Sequence, residues 1–206
     1  MVPVAIRAQF AQTPERNIKR AWLVIDNNPS PIAAIFEYTI DSGRADIETR
    51  VRIDEYGFVR AIAETNDGKL YMHTRFVKAS GGCSAAPGTD AQAALASMGK
   101  MKLRVQEESP QPGALSVAQL IVSHPNHSGL AMDQYTRQFT PAHFVRRIDV
   151  SYRGKPVLSA DLDFAISENP NLRFYFNAKD AGDLKVNVVD SEELKFGTAV
   201  KVNLPK

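Results

Sequence analysis

The stretch Asp-Ile-Glu-Thr-Arg-Val-Arg-Ile, residues 46–53, alternates strictly between two kinds of side chain. Its odd-numbered residues from 47 to 53 are apolar or β-branched, whereas residues 48, 50 and 52 are charged. Successive side chains of a strand point to opposite faces, so this pattern predicts a strand with one buried face and one wet face.

Strand-like segments recur on both sides of this stretch, separated by turn residues. Asn66-Asp67-Gly68, for example, is typical of a hairpin turn. Short strands at such spacing predict an all-β chain of sandwiches or barrels. The other segments are 1–7, 18–26, 32–40, 58–65, 69–78, 101–105, 118–122, 144–152, 157–164, 172–178, 184–189 and 197–202.

The composition changes once along the chain. Residues 79–88 are small apart from one proline, which is typical of a flexible arm or linker. Asp90 to Met98 is rich in alanine, and Thr89 or Asp90 could cap it at one end and Gly99 at the other, so we expect a short helix there. The sequence therefore predicts two β domains, 1–78 and 100–206, joined by residues 79–99.

Composition excludes several classes of protein. The 206 residues carry a net charge of +2 and are 44% hydrophobic, which indicates a globular chain without a large nucleic-acid surface. One cysteine cannot form an internal disulfide or a four-cysteine zinc site. No apolar run is long enough for a membrane helix, and no signal peptide precedes the first strand, so we expect a cytosolic protein or one whose leader was removed.

That cysteine, Cys83, follows Gly81 and Gly82 and precedes Ser84. No bulky neighbour shields the sulfur, so we expect an exposed thiol presented to another molecule, with the glycines giving the arm its flexibility. An incidental linker cysteine is the alternative interpretation.

His124 and His127, with His143 and Met132 downstream, form the second candidate site. They could ligate a metal such as copper, together with Cys83, but their spacing is weak evidence and they equally suit a hydrogen-bonded turn. His73 is expected to be an ordinary strand residue, and Glu107-Glu108 and Glu192-Glu193 solvated surface.

Several motifs together resemble a known family. The Gly81-Gly82-Cys83 arm after an all-β segment resembles SoxY, and the second half resembles SoxZ. The order Y then Z is similar to the fused SoxYZ-like carriers associated with quinoprotein dehydrogenases. The motifs that carry the resemblance are Asp26-Asn27-Asn28-Pro29-Ser30-Pro31, His124-Pro125, Ser128-Gly129, Gly154-Lys155-Pro156-Val157, Ala160-Asp161-Leu162, Ser167-Glu168-Asn169-Pro170 and Phe174-Tyr175-Phe176.

The resemblance implies two immunoglobulin-like β-sandwiches and a non-enzymatic periplasmic carrier. Cys83 would hold a small sulfur species covalently for sulfur-oxidising partner enzymes or a quinoprotein dehydrogenase system, without metal or organic cofactor. Only Cys83 carries over as a functional residue. The alternative is a binding or scaffold module for a quinoprotein dehydrogenase, in which the thiol is incidental.

Two departures from the family pattern matter. Cys83 is followed by a whole second domain, so the arm is anchored at both ends and reaches at most roughly 17 Å beyond Lys78. We therefore expect presentation at a shallow partner site. The family's chains also extend upstream of Val2.

Overall fold

The computed structural model describes residues 1–84, 94, 96–106, 113–132 and 137–203. Within these ranges the chain forms thirteen strands and one short 3-10 helix, Ile40–Ser42. No helix in the described ranges is long and apolar enough to cross a membrane. The strands are β1 (Val2–Ile6), β2 (Ile18–Ile25), β3 (Ile32–Tyr38), β4 (Ile47–Val51), β5 (Gly57–Thr65), β6 (Leu70–Val77), β7 (Met101–Val105), β8 (Ala114–Val122), β9 (Val145–Tyr152), β10 (Lys155–Leu162), β11 (Asn171–Ala178), β12 (Gly182–Asp190) and β13 (Lys195–Val202).

The strands form two sheets, and each sheet contains strands from both halves of the sequence. The eight-stranded sheet has the order β13-β12-β9-β10-β3-β2-β5-β6, and the five-stranded sheet has the order β1-β4-β11-β8-β7. Each half of the sequence thus contributes one two-layer sandwich. The two sandwiches meet edge to edge through the antiparallel ladders β3–β10 and β4–β11.

The predicted fold class, all-β with two immunoglobulin-like sandwiches, is confirmed, and the deciding stretch shows why. Ile47, Thr49 and Val51 in β4 are buried, while Glu48 and Arg50 lie on the opposite face. The division of the chain into two domains at residues 79–99 stays a prediction. The two halves share one hydrophobic core.

The fully buried large side chains come from both sandwiches. Burying each of them contributes about 1.5–3 kcal/mol. The continuous sheets and the shared core hold the two halves together. Residues at the seam, where β3 pairs with β10 and β4 with β11, are therefore held in fixed positions. The fully buried large side chains include Leu23, Ile25, Phe36, Ile47, Leu120, Ile148, Leu172, Phe174, Phe176 and Leu184.

The predicted helix between the halves is only partly visible. Ala94, Ala96 and Ser97 are helical. The proposed N-caps Thr89 and Asp90 lie outside the described residues, as do Glu107 and Glu108.

Candidate functional site

Cys83 lies at the seam between the sandwiches, held by three hydrogen bonds to its segment. The Gly81 N–H donates to the Asp54 carbonyl at 2.8 Å, and the Gly82 N–H donates to the Ile53 carbonyl at 2.9 Å. From the other half, the Ser128 hydroxyl donates to the Cys83 carbonyl at 2.6 Å. Residues of both halves of the chain therefore hold the cysteine segment by hydrogen bonds.

Residues 52–54, which follow β4, form the backbone surface that binds the cysteine segment, and we call this surface the dock. The side chains of Asn28 and Arg52 fix its shape. Asn28 donates to the Arg52 carbonyl at 2.9 Å and accepts from the Asp54 N–H at 2.9 Å. The Arg52 guanidinium donates to the Phe164 and Ile166 carbonyls at 2.9 and 2.7 Å. Asn28 belongs to the turn that resembled SoxY, so this motif positions the dock of the cysteine.

The thiol itself is buried, with Cys83 only 1% exposed, so the expectation of an exposed thiol is wrong for this conformation. Burial raises the pKa of Cys83 from 9.0 to about 11. The Asp54 and Asp163 carboxylates act in the same direction, and the nearby Arg52 cation opposes them. The docked sulfur is thus a protonated thiol and a poor nucleophile at neutral pH.

Small neighbours led to the expectation of exposure, but they serve close packing instead. A Cβ at Gly82 would lie 2.8 Å from both the N and the O of Ile53, so only glycine lets the arm approach this backbone. Gly81 adopts φ +70°, a conformation that favours glycine. The flexibility proposed for Gly81 and Gly82 stays a prediction, since it concerns the released arm.

Two of the sequence-predicted histidines come together with an aspartate that the sequence analysis missed. His143 Nε2 lies 2.8 Å from Asp190 Oδ2, and His124 Nε2 lies 3.6 Å from the same oxygen. Asp190 is completely buried, and its other oxygen accepts from the Glu192 and Leu194 N–H groups. Asp190 ends a strand at the turn into the next one, and nothing in the local pattern marks its partners.

Distances alone would allow this group to hold a metal ion, since its ligand atoms lie within 4.8 Å of one another. The donor chemistry does not fit. His124 Nδ1 accepts from the Asn126 N–H at 3.0 Å, so the neutral ring carries its proton on Nε2, the atom that faces Asp190. A proton is presented where a metal needs a lone pair, so the donor set does not suit a metal ion. The group is a buried polar cluster in which His143 bonds Asp190, whereas His124 Nε2 has no hydrogen-bond partner.

The electrostatics of the cluster suit this description. Burial lowers the pKa of His124 to about 4, and the neighbouring His143 contributes in the same direction. Burial opposes ionisation of Asp190, but the hydrogen bonds from His143, Leu194 and Glu192 outweigh it and lower the pKa of Asp190. The cluster therefore pairs a neutral imidazole with an ionised carboxylate.

The other candidate metal ligands lie outside the group of His124, His143 and Asp190. His127 is linked to His143 through its carbonyl, which accepts the His143 N–H at 3.0 Å, and Met132 is 43% exposed. Within the described residues, neither Cys83 nor His127 joins the potential metal-ligand group, which does not support the copper interpretation. His73 lies in β6, as predicted, and Glu192 and Glu193 are exposed, as predicted.

Two solved structures that are similar to this chain share little sequence with it. A superoxide reductase (neelaredoxin) from Ignicoccus hospitalis is 13% identical, with a TM-score of 0.38, over 55% of this chain and 86% of that one. The fibronectin(III)-like modules of Clostridium thermocellum CbhA are 10% identical, with a TM-score of 0.29, over 98% and 85%. None of the curated proteins matches this chain.

Two family models divide the chain between them. Residues 1–83 match the sulfur oxidation protein SoxY, and residues 101–201 match the sulphur oxidation protein SoxZ. The SoxY match ends at Cys83 itself. The docked cysteine thus ends the SoxY-like part and is held by a serine of the SoxZ-like part. The chain belongs to the SoxY and SoxZ families, joined in that order in one polypeptide, and is a fused SoxYZ-like sulfur carrier.

Proposed function

We propose that this chain carries a sulfur intermediate covalently on Cys83 and presents it to partner enzymes. The observation that carries the proposal is the position of the cysteine. It is the chain's one cysteine, it ends the SoxY match, and it is docked at the seam with the SoxZ half. With no second thiol in the chain, an adduct cannot be lost to an internal disulfide.

Loading takes place in a released state of the arm. The docked thiol has a raised pKa of about 11 and no access to solvent, so a sulfur compound cannot reach it. Three hydrogen bonds hold the segment, and each contributes about 1 kcal/mol net. Release therefore costs only a few kcal/mol from these bonds, and it restores an ordinary, more reactive thiol.

The loading step is an oxidative coupling. With thiosulfate as the example, the Cys83 thiol loses its proton and its sulfur bonds to the outer sulfur of thiosulfate. The products are Cys83–S–S–SO₃⁻, one proton and two electrons. The electrons pass to an electron-accepting redox protein, because the carrier chain holds no acceptor of its own in this proposal.

The proposed location is the periplasm, and the proposed partners are sulfur-oxidising enzymes or a quinoprotein dehydrogenase system. The resemblance to fused SoxYZ-like carriers supports both proposals. Because the arm is anchored at both ends, the partner site is shallow, and tethering raises the local concentration of the bound sulfur there.

Intact-mass analysis of protein purified without reductant from the native periplasm tests the carrier function. We expect a sulfur adduct on Cys83 that dithiothreitol removes, and none on a Cys83→Ser variant. Ser84→Ala, which alters the exposed neighbour, is the matched control and should carry the adduct. An adduct-free protein from cells growing on the sulfur compound, together with full growth of Cys83→Ser, contradicts the proposal.

A docking module for a quinoprotein dehydrogenase is the second candidate, and an exposed apolar patch favours it. On the outer face of β5 and β6, the side chains of Phe58, Leu70, Met72 and Phe76 are 45–66% exposed. The rings of Phe58 and Phe76 stack edge to face with centroids 5.3 Å apart. Pull-down of the dehydrogenase by Cys83→Ser, with function intact, would favour this candidate over the carrier.

A further inference from the structure

The eight-stranded sheet ends at β6, and the far edge of this strand carries no partner among the described residues. β5 lies on one side of β6, and no described strand lies on the other. Six of the eight residues of β6 are exposed, and they include side chains from both faces of the sheet. The opposing five-stranded sheet ends at β1 and does not cover β6. The edge of β6 is therefore open from both sides.

The three other sheet edges carry residues that oppose pairing with a further strand. Proline removes a hydrogen-bond donor from an edge strand, and lysine resists being covered. β1 contains Pro3, β7 contains Lys102, and β13 contains Lys195 and Lys201. β6 contains neither proline nor lysine. Among the sheet edges that the structure describes, β6 is thus the one suited to accept another strand.

The β5–β6 ladder shows which backbone groups of β6 point to the open edge. Hydrogen-bonded and non-hydrogen-bonded pairs alternate along an antiparallel ladder. The Thr65 N–H donates to the Lys69 carbonyl at 3.0 Å, so the odd-numbered residues of β6 bond β5. The far side of β5 agrees, because the Asp26 N–H donates to the Phe58 carbonyl at 3.0 Å and the even-numbered residues of β5 therefore bond β2. On β6 the N–H and C=O groups of the even-numbered residues point to the open edge, at positions 70, 72, 74 and 76.

Chain length excludes the undescribed residues of this chain as the strand that covers the edge. Residues 85–93 start after Ser84, beside the docked cysteine, and end at Ala94, whose carbonyl accepts from the Ser97 hydroxyl next to the end of β8. A course along β6 to Leu70 and back is roughly 40 Å, whereas these nine residues span at most roughly 32 Å. Residues 95, 107–112 and 133–136 are short links between described residues outside the SoxY half, and residues 204–206 follow β13 at the opposite end of the sheet.

We propose that the open edge of β6 binds β6 of a second copy of this chain, antiparallel, so that the two eight-stranded sheets become one. A two-fold axis passes between the two strands at His73, perpendicular to the sheet. Residues at equal distances before and after His73 then face each other. All four edge residues find partners, Leu70 with Phe76 and Met72 with Thr74 of the second copy, which gives about eight backbone hydrogen bonds.

The side chains of β6 agree with this register. On the outer face of the sheet, Leu70 packs beside Phe76 of the second copy, and in the single chain these side chains are 66% and 51% exposed. On the inner face, Arg75 lies opposite the exposed Tyr71 of the second copy, so no two Lys or Arg side chains oppose each other. A shift of two residues leaves one edge residue of each copy without a partner, and in one direction it places Lys69 opposite Arg75.

Disulfide trapping tests the register, with the full chain carrying Cys83→Ser so that no native thiol interferes. His73→Cys places two thiols opposite each other across the axis, in a non-hydrogen-bonded pair whose Cα atoms lie roughly 4.5 Å apart, within disulfide range. Arg75→Cys is the matched control, because this residue is exposed on the same face but lies roughly 14 Å from its copy. We expect glutathione disulfide to convert the His73→Cys chain to a covalent dimer at least roughly tenfold faster than the Arg75→Cys chain.

Thr74→Pro provides a second measurement of the same contact. It removes an N–H that points to the open edge and leaves the hydrogen bonds to β5 intact, so the single chain keeps its fold. Since each copy loses one hydrogen bond across the axis, the dissociation constant of the dimer from sedimentation equilibrium should rise at least roughly tenfold.

Equal cross-linking of the two cysteine variants would overturn the proposal, as would a Cys83→Ser chain that stays monomeric at millimolar concentration. Protection of the Met72 and Thr74 amides from hydrogen exchange in the dilute monomer would also overturn it, because another part of the chain would then occupy the edge. None of these outcomes involves an adduct on Cys83, so failure here leaves the carrier proposal untouched.

Discussion

The Ser128 hydroxyl donates to the Cys83 carbonyl at 2.6 Å, and this contact ties the last residue of the SoxY match to the SoxZ half. Ser128 is itself buried and also accepts the Leu130 N–H at 3.2 Å, so its hydroxyl is fixed in direction. Through this bond the SoxZ half holds the cysteine arm in its docked position, and we call the Ser128–Cys83 contact the latch. The backbone of Cys83 is therefore held in part by the half of the chain that does not contain it.

Ser128→Ala should release the arm. Loss of one hydrogen bond costs about 1 kcal/mol, which raises the open population and the rate of Cys83 alkylation by iodoacetamide about fivefold. Ser128→Thr, which keeps the hydroxyl, should restore the slow rate. Ser159→Ala is the control, because that hydroxyl bonds Glu37 and no residue of the segment 79–99. Equal alkylation of Ser128→Ala and the parent would show that the latch holds nothing.

Gly82→Ala should release the arm from the opposite side. The new Cβ would stand 2.8 Å from the Ile53 backbone, so the segment must move away and lose its hydrogen bond to the Ile53 carbonyl. We expect alkylation of Cys83 about tenfold faster and unfolding easier by about 1–2 kcal/mol. Gly68→Ala provides the comparison, because Gly68 has positive φ and open space at a distant hairpin. Faster alkylation in both variants would indicate general destabilisation instead of arm release.

The buried thiol should make stability depend on alkaline pH. The folded pKa of Cys83, about 11, lies above its ordinary value of 9.0, so its contribution is complete below 9.0 and is lost as pH rises through 11. Between about pH 8 and pH 10 the parent should lose about 1 kcal/mol more than Cys83→Ser. Urea unfolding at the two pH values measures this difference, and parallel losses in the two proteins would contradict burial of the thiol.

The sequence was sufficient for strands such as β4, in which one face is buried and the other is not. Residues 46–53 alternate apolar and charged side chains, and β4 buries the predicted face. It was not sufficient for the seam, since the pairing of β4 with β11 brings together residues whose separation along the chain exceeds 120 positions. Local periodicity carries no information about which strand edges meet.

The candidate site shows the same limit. Cys83 could be found by its type and position, but its small neighbours permit close packing against Ile53 and do not indicate exposure. The dock is built by the Asn28 side chain and by Ser128, which lie far from the cysteine in sequence. Asp190 was missed because its role depends on two histidines that only the fold brings near.

His124 should make the protein sensitive to mild acid. Its folded pKa of about 4 lies below the ordinary 6.5, so the neutral ring stabilises the fold above pH 6.5 and that contribution is lost as pH falls toward 4. The loss amounts to about 2–3 kcal/mol. His124→Asn removes the titration while its side-chain oxygen can still accept the Asn126 N–H, so its stability should fall less over this window. Both proteins retain Asp190, whose lowered pKa makes a loss at more acidic pH common to both. Chemical unfolding at several pH values compares them, and an equal decline between pH 6.5 and 4 would show that His124 is not held neutral by its burial.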